Sequence, residues 1–418
     1  MKLLKLLIAT ALLFGANTLY AQKYVGGDIS LLSKYEENGA NYMDKDGKKI
    51  TNVLAFLKEQ GMNTMRVRLF VDPSKASAEH KGQGVCQDLE YVKKLGKKIK
   101  DAGLQFMLDF HYSDTWADPG KQGMPASWIA INTPAFEYIY TYTKNSLEEL
   151  KAAGATPDFI QTGNEISFGM LWDGCKIGPK SQNDWTDYSD ENWDSFAKAL
   201  KNAGKACREV CPNAKIIIHT EQCANNPTLD VAFFKRIKAN EVDYDIIGTS
   251  YYPYYKGPIS NLDKGLTQLE TNFPDKKIMV VETGCSYHYK MGDQETGYPL
   301  TYEGQRQFTS NLITMLKKHA NVNGLFWWFL EANEYGLDWN TKRVTDEWYN
   351  ASLFDNETGR ALPALYELKN FNDGSTVIFP ALKKEEQDAW YALDGRRLEG
   401  KPSHKGLYIN NGKKMISK

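Results

Sequence analysis

The stretch PDFIQTGNE, residues 157–165, is a short apolar run that ends in a charged side chain, Glu165. A second stretch, KIMVVETG at residues 277–284, has the same form and carries Glu282. Such runs are typical of strands in a parallel sheet, which is covered on both faces. Ligands of these sheets bind outside the carboxyl ends of the strands. Both glutamates are therefore predicted to face a cleft, although a single glutamate in this position could instead cap the helix that follows.

Similar runs alternate with helix-like segments along most of the chain. Helical periodicity stops repeatedly at a glycine, as at Gly61, Gly103 and Gly154, and another apolar run follows. Eight units over roughly 350 residues predict a (β/α)8 TIM barrel with a parallel sheet. A doubly wound open sheet is the alternative, but no glycine-rich phosphate-binding turn follows the first strand. The predicted strands lie near residues 24–30, 63–70, 104–111, 157–165, 215–219, 244–251, 277–282 and 323–328.

The amino terminus has the layout of a targeting segment. Lys2 and Lys5 precede the apolar run at residues 6–14, and Ala21 offers a small residue for cleavage. This layout predicts a signal peptide over residues 1–21, and therefore export to the periplasm, the cell surface or the medium. No later segment has the roughly 18 uninterrupted apolar residues that a membrane-spanning helix needs, so no membrane span is predicted.

The carboxyl terminus differs from the barrel pattern in another way. Residues 22–372 are predicted to form the catalytic barrel, and residues 373–418 to form a linker and a short β-type tail. The dipeptides DG at 394–395 and NG at 411–412 lie between short β-type runs, as turns of β-hairpins do. The tail is too short to bury much of a core by itself.

Composition excludes several classes of partner. The 418 residues carry a formal net charge of −1, which gives no support for a nucleic-acid or anionic-membrane partner. We expect a monomer. One or two disulfides are open to an exported chain with six cysteines, but their pairing cannot be deduced from sequence. The cysteines are Cys86, Cys175, Cys207, Cys211, Cys223 and Cys285.

Several longer motifs resemble glycoside hydrolase family 53, the arabinogalactan endo-β-1,4-galactanases of a large clan of retaining (β/α)8 barrels. The resemblance covers about residues 24–372 and implies an enzyme that takes the polysaccharide β-1,4-galactan as its substrate. The motifs that carry it, in chain order, are GDIS (27–30), MRVRLFVDP (65–73), DFHYSDTWADPG (109–120), GNEI (163–166), LW (171–172), SYYP (250–253) and VVET (280–283).

The resemblance assigns the central catalytic roles residue by residue. Glu165 matches the family acid/base and Glu282 the nucleophile, the two carboxyl groups of a retaining glycosidase. Arg66 aligns with the arginine that keeps the nucleophile ionised. Arg68 points to the same side of the strand and is the alternative. Asn164 matches the residue that binds the 2-hydroxyl of the sugar being cleaved.

The resemblance also implies a set of residues around these two carboxyl groups. Histidines at strand ends would surround them, a tyrosine hydroxyl would lie near the nucleophile, and one tryptophan would stack beneath the sugar. An aspartate and a tryptophan after the third strand would form a cleft wall, although turn roles are the alternative. A further tryptophan has either a subsite role or a core role. The histidines are His111 and His219, the tyrosine is Tyr251 or Tyr252, and the stacking tryptophan is Trp328. The residues of the cleft wall are Asp114 and Trp116, and the further tryptophan is Trp172.

The eighth loop departs from the family pattern. After the tryptophan of the last strand the family continues Glu-Pro-Ala-Trp, whereas this chain has FLEA at residues 329–332. Some members bind calcium between late loops, and Glu334, Asp338, Asn340 and Asp346 could supply oxygen ligands. Their spacing is irregular, so no metal is assigned and no cofactor is expected to be required.

These observations predict a secreted retaining endo-β-1,4-galactanase that degrades pectin side chains. Two alternatives stay open. One is a related β-glycanase of the same clan, such as a mannanase or a xylanase, since two glutamates do not identify the sugar. The other is a barrel that binds glycans without cutting them.

Overall fold

The structure is a computed structural model. It describes residues 22–131 and 134–372, and it describes the backbone of four strands in the C-terminal region. The predicted signal peptide, residues 1–21, lies outside the described residues.

Eight parallel strands close into a barrel, which confirms the (β/α)8 prediction. Each strand pairs with the next one along the barrel, and the first pairs with the last. All eight strands occur where apolar runs predicted them. Called β1 to β8 in chain order, they are Tyr24–Asp28, Thr64–Leu69, Gln105–Phe110, Phe159–Thr162, Lys215–Thr220, Ile246–Tyr251, Lys277–Thr283 and Val322–Trp327.

Helices follow the strands and cover the outside of the barrel. Side-chain oxygens cap several of them, as when Asn52 accepts from the Ala55 N–H and Asp88 from the Tyr91 N–H. Glycines with positive φ follow the helix ends, as at Gly103 (φ 68°). The helices are Leu32–Asn38, Val53–Glu59, Ala78–Gly82, Leu89–Asp101, Ala126–Ile129, Ala135–Ala152, Trp193–Val210, Pro227–Ala239, Pro253–Lys256, Ile259–Asn272, Tyr302–Leu316 and Pro363–Glu367.

The inside of the barrel changes from apolar to charged along the strands. Because side chains alternate between the two faces of a strand, residues two apart share a face. On β3, buried Met107 is followed by buried Asp109, and on β5 buried Ile217 is followed by buried His219. The apolar layer packs as one cluster made of Met107, Phe159, Ile217, Ile246, Met279, Val281 and Phe326. Polar side chains therefore lie towards the carboxyl ends of the strands, where ligands of such barrels bind.

Two β elements lie outside the barrel. An antiparallel hairpin, Pro179–Ser181 with Asp184–Tyr188, follows β4 and was not predicted. The C-terminal region forms a compact unit of its own that begins at Thr376. Its described strands form one antiparallel sheet in the order Arg397–Leu398, Trp390–Tyr391, Gly406–Asn410 and Lys413–Ser417.

The structure also bears on the cysteines and on membrane insertion. All six cysteines are described, and none forms a disulfide. No helix in the described part of the chain is long and apolar enough to cross a membrane.

Candidate active site

A cleft lies at the carboxyl ends of the barrel strands and contains both glutamates. Its polar lining is drawn from loops after most of the strands, and its apolar lining is mainly aromatic. The lining residues are Gln83, Trp116, Ala117, Asp118, Pro119, Lys121, Asn164, Glu165, Glu221, Tyr252, Tyr255, Lys256, Glu282, Trp328, Glu347 and Trp348.

Arg66 is the centre of a buried charge network below this cleft. Its side chain is fully buried, and Nη1 donates to Asp28 Oδ2 at 3.0 Å. Nη2 donates to Asp109 Oδ2 at 2.8 Å and to Asn164 Oδ1 at 2.9 Å. The same nitrogen lies 2.8 Å from Glu282 Oε1. A planar guanidinium can serve several acceptors at once, so Arg66 fixes these four side chains relative to one another.

Glu282 is the last residue but one of β7 and is held in a polar environment. Besides its ion pair with Arg66, its Oε2 accepts a hydrogen bond from the Tyr252 hydroxyl at 2.9 Å. Burial raises the pKa of Glu282 to about 7, while the Arg66 charge and the Tyr252 hydrogen bond act in the opposite direction. Both contacts stabilise the ionised carboxylate, the form that a nucleophile requires.

Glu165 has a different environment. Burial raises the pKa of its carboxyl well above the ordinary value, and the negative charges of Glu282 and Glu221 raise it further. A hydrogen bond from the Ser250 hydroxyl only partly opposes that rise. The backbone of Glu165 has φ 48° and ψ 54°, a left-handed conformation that costs a non-glycine residue about 1–3 kcal/mol. Such strain is often found where a side chain is held in place for chemistry.

His219 contacts both the backbone N–H of Glu165 and the side chain of Ser250, which lies near the Glu165 carboxyl. Its Nδ1 accepts from the Glu165 N–H at 3.3 Å, so the ring proton is on Nε2. Nε2 lies 2.7 Å from Ser250 Oγ and donates to it. Burial lowers the pKa of His219 well below its ordinary value, so the ring is neutral. The Ser250 hydroxyl hydrogen is thereby left available for the Glu165 carboxyl.

His111 is neutral for a similar reason. Its Nδ1 accepts from the Ala117 N–H at 3.0 Å, which leaves the ring proton on Nε2. That atom lies 3.1 Å from Asp109 Oδ2, an acceptor of the Arg66 network. Burial lowers the pKa of His111, although the Asp109 charge opposes this. His111 therefore helps to fix Asp109 and does not itself line the cleft.

An aromatic wall covers the second arginine. The Arg68 guanidinium lies 4.8 Å from the ring centre of Trp116, 4.7 Å from that of Trp328 and 4.9 Å from that of Phe329. Its Nη1 donates to Asp28 Oδ1 at 2.9 Å. Cation–π contacts of this kind hold ring planes in place. Arg66, and not Arg68, contacts the second glutamate, whereas Arg68 supports the tryptophans that line the cleft.

Comparison with known proteins identifies the family. Residues 24–368 match the model of glycosyl hydrolase family 53. The chain belongs to this family. The family 53 catalytic domain of Ignisphaera aggregans superposes with a TM-score of 0.71 at 32% identity, and the match covers 83% of this chain and 95% of that one. A psychrophilic family 10 endo-β-1,4-xylanase, 13% identical with a TM-score of 0.52, is similar in fold alone.

Several curated relatives of this glycoside hydrolase are named as galactanases. The arabinogalactan endo-β-1,4-galactanase of Cellvibrio japonicus is 30% identical over 392 residues, which are 87% of this chain and 96% of that protein. The endo-β-1,4-galactanase of Bacillus subtilis is 27% identical over 382 residues, which are 81% of this chain and 84% of that protein.

The structure distinguishes the two candidate tyrosines of the family 53 chain. Tyr252 lines the cleft and donates to Glu282. Tyr251 is fully buried, and its hydroxyl donates to the Gly257 carbonyl at 2.8 Å. Tyr251 is therefore not brought to the site, because consecutive residues of a strand face opposite sides.

Two further predicted site residues do not line the cleft. The Asp114 carboxylate accepts from the N–H groups of Asp72 at 3.0 Å and Ala126 at 2.8 Å, which ties two loops together. The Trp172 indole N–H donates to the Phe168 carbonyl at 3.0 Å. Both side chains shape the loops around the cleft, and neither contacts it in the structure.

The eighth loop, whose sequence departs from the family pattern, is buried at residues 329–332. Phe329 has φ 49° and places its ring against Arg68. Glu331 is buried, and its Oε1 accepts from the Leu31 N–H at 2.7 Å. Burial raises the pKa of Glu331 to about 8. The FLEA sequence thus contributes the Phe329 ring to the aromatic wall.

The candidate calcium ligands are engaged within the protein. Asp338 Oδ1 accepts from the Asn340 N–H at 2.9 Å, and Glu334 Oε1 accepts from the Tyr35 hydroxyl at 2.8 Å. Asp346 lies in a different part of the loop and contacts an arginine. Among the residues that the structure describes, no group of three or more His, Cys, Asp or Glu side chains could hold a metal ion. No metal is assigned.

Sequence reasoning missed several residues of the site. Asp109 and Ser250 connect the two glutamates to the network, and Glu221 and Lys256 line the cleft beside Glu165. A signal for them was present. Asp109, Ser250 and Glu221 each lie two residues from a predicted site residue, and therefore on the same side of the chain as that residue. The predicted residues are His111, Tyr252 and His219.

Proposed function

We propose that this enzyme is an exported, retaining endo-β-1,4-galactanase that cleaves the type I arabinogalactan side chains of pectin by double displacement. One observation carries the proposal. Two carboxyl groups share a cleft, that of Glu282 buried and that of Glu165 partly buried, and their surroundings favour opposite protonation states. Arg66 and Tyr252 stabilise ionised Glu282, whereas desolvation and nearby negative charge keep a proton on Glu165. A retaining glycosidase needs such a pair, with one protonated carboxyl group as the acid and one ionised carboxyl group as the nucleophile.

In the first step the ionised Glu282 attacks the anomeric carbon of the galactosyl unit. The bond from that carbon to the glycosidic oxygen breaks, and Glu165 gives its proton to the departing oxygen. The shortened chain leaves as an alcohol, and the galactosyl unit is left as an ester on Glu282. Glu165 is now a carboxylate.

In the second step Glu165 takes a proton from water, and the water oxygen attacks the anomeric carbon. Glu282 leaves as a carboxylate and Glu165 again holds a proton, so both groups return to their starting forms. Two inversions at one carbon retain the β-configuration. Asn164, held by Arg66 and by the Ala117 carbonyl, keeps one amide hydrogen for the 2-hydroxyl of the sugar.

The choice of galactan rests on the family and on the two relatives described above, which are named as galactanases. The cleft offers flat faces on Trp116 and Trp328 for sugar rings. It does not by itself distinguish galactan from mannan or xylan. We also propose that the mature enzyme begins near residue 22 and acts as a monomer outside the cytoplasm. The intact mass of the protein recovered from the culture or the cell envelope tests where the mature chain begins. Its elution volume in size-exclusion chromatography tests whether it is a monomer.

The decisive experiment is a timed digestion of arabinan-trimmed potato galactan, with mannan and xylan as parallel substrates. Short galacto-oligosaccharides that appear early, and from galactan alone, are the expected result. Proton NMR of the first products should show the β-anomer. Activity on another β-glycan alone would overturn the proposed substrate, and an α-anomer as first product would overturn the mechanism. Inactivity on all three substrates would favour a glycan-binding barrel.

A further inference from the structure

A third carboxyl group lies in the cleft and neither forms a bond nor transfers a proton in the double displacement. Glu221 follows β5 directly and is 1% exposed. Its Oε1 accepts from the Gln222 side-chain amide at 2.6 Å. Its Oε2 is buried without a hydrogen-bond partner among the described residues, although the residue lines the cleft. An unpaired buried acceptor is costly, so a carboxylate in this position needs a further donor.

Lys256 supplies a donor on the same side of the cleft. It is the last residue of the short helix Pro253–Lys256, after β6. Its backbone is fixed, because its N–H donates to the Tyr252 carbonyl at 2.8 Å and its carbonyl accepts from the Asn261 side chain at 2.9 Å. No hydrogen bond or ion pair of its ammonium group occurs within the described part of the chain. Glu221 and Lys256 thus offer an acceptor and a donor to whatever enters the cleft.

The order of the strands places this pair on one side of the reaction. Glu165 follows β4, Glu221 follows β5 and Lys256 follows the strand after that, and these three strands are neighbours. In the proposed mechanism Glu165 gives its proton to the departing oxygen, so the departing sugar lies on its side of the bond. Trp328, the platform proposed for the other sugar, follows β8, which lies four strands away from β4 in the barrel.

We infer that Glu221 and Lys256 form the subsite for the departing sugar, where Lys256 donates to its hydroxyl groups and Glu221 Oε2 accepts from them. The inference rests on the proposed function and extends it. In a β-1,4-linked galactan the departing oxygen is O4 of the next sugar. The 3-hydroxyl and the 6-hydroxymethyl group of that sugar flank O4 and are the groups that an acceptor and a donor next to Glu165 would contact.

The test separates binding of the departing sugar from the chemistry at the anomeric carbon. Wild type, Glu221→Gln and Lys256→Gln are compared on galactotetraose and on a dinitrophenyl β-1,4-galactobioside, whose leaving group is not a sugar. Both variants should lose about ten- to a hundredfold in kcat/KM on the tetraose and stay within about threefold of wild type on the aryl substrate, since hydrogen bonds to charged groups are worth this much. Equal losses on both substrates would overturn the inference.

A second readout excludes an effect through the pKa of Glu165 alone. With the aryl galactobioside as donor and β-1,4-galactobiose added as acceptor, the glycosyl-enzyme divides between transfer and hydrolysis. Both routes use Glu165 as the base, so their ratio reports how well the acceptor sugar binds. We expect the variants to lower the ratio of transfer to hydrolysis at least fivefold at every pH tested. A ratio equal to that of wild type would refute the subsite.

Matched controls come from exposed residues on outer helices. Glu148→Gln and Lys264→Gln make the same chemical changes outside the cleft lining. They should leave kcat/KM on both substrates and the ratio of transfer to hydrolysis unchanged. A wild-type enzyme without any action on galactose-based substrates would refute the proposed function, and the subsite with it. Wild-type activity with unaltered variants would refute the subsite alone.

Discussion

The hydrogen bond from Tyr252 to Glu282 gives the sharpest test of the charge arrangement in the site. The hydroxyl donates to Oε2 at 2.9 Å, and the ring is buried against that of Tyr254, with 5.6 Å between the ring centres. Tyr252→Phe removes the hydroxyl and keeps the ring contacts. Because the hydrogen bond stabilises the ionised carboxylate, its loss raises the pKa of Glu282.

The size of this effect follows from the burial of the pair. A hydrogen bond to a charged group contributes about 1.5–3 kcal/mol, and 1.36 kcal/mol corresponds to one pKa unit, so complete loss corresponds to about one to two units. A protonated Glu282 also loses a weaker hydrogen bond, so we expect a shift of about one unit. Glu282, the proposed nucleophile, must be ionised to react, and the acidic limb of the kcat/KM profile should therefore move to higher pH by that amount.

The assay is the pH dependence of kcat/KM on an aryl β-galactobioside, whose good leaving group needs little help from Glu165. The neighbouring Tyr251→Phe is the matched control. It removes an equally buried hydroxyl, bonded to the Gly257 carbonyl, and should lower thermal stability without moving the acidic limb. An unmoved limb in Tyr252→Phe, or the same shift in both variants, would refute the reasoning.

Two further predictions concern catalysis and packing. Glu282→Gln should abolish turnover on all substrates, whereas Glu165→Ala should keep activity on dinitrophenyl glycosides and lose it on galactan. Equal residual activity of the two variants on the aryl substrate would contradict the assignment of Glu165 as acid/base and Glu282 as nucleophile. Gly265→Ala should destabilise the fold by about 1–3 kcal/mol, because its Cβ would lie 1.9 Å from the Cys223 carbonyl oxygen, and Gly174→Ala, with open space around it, should be neutral in a thermal melt.

The barrel was predictable because its strands are local signals. A strand buried on both faces is a continuous apolar run, and glycine marks the ends of the helices between the strands, as at Gly61 and Gly103. The hairpin Pro179–Ser181 with Asp184–Tyr188 was missed for the opposite reason. Its strands are short, mostly exposed and rich in charged residues, so no apolar run or strong turn dipeptide reveals them.

The choice between Tyr251 and Tyr252 could not be made from sequence. Only one of two consecutive residues faces the barrel interior, and which one depends on the register with β7. That register shifts at an irregularity between Thr249 and Ser250, so that Ser250 pairs with Glu282. A bulge is a property of two paired strands and leaves little trace in either one alone.

The two arginines posed a different problem. Arg66 and Arg68 are two residues apart and do share a face, as the strand period predicts. Their roles differ in depth along the barrel. Arg66 lies level with Asp28, its partner in the register, and reaches Glu282, whereas Arg68 lies one step nearer the strand ends and meets the aromatic wall. Depth depends on the stagger of eight strands and cannot be seen in one of them.

In the proposed double displacement Glu165 must change its role from acid to base, and the charge network accounts for this change. Before the reaction, the negative charge of Glu282 is one of the causes that raise the pKa of Glu165 and keep it protonated. Formation of the ester removes that charge, because an ester oxygen is neutral. The pKa of Glu165 therefore falls at the moment when it has given up its proton, and the group stays ionised as the base that the second step needs. When Glu282 leaves as a carboxylate, its charge returns and favours the proton on Glu165 again. The loss and return of the charge on Glu282, whose ionised form Arg66 stabilises, thus account for the direction of both changes of role.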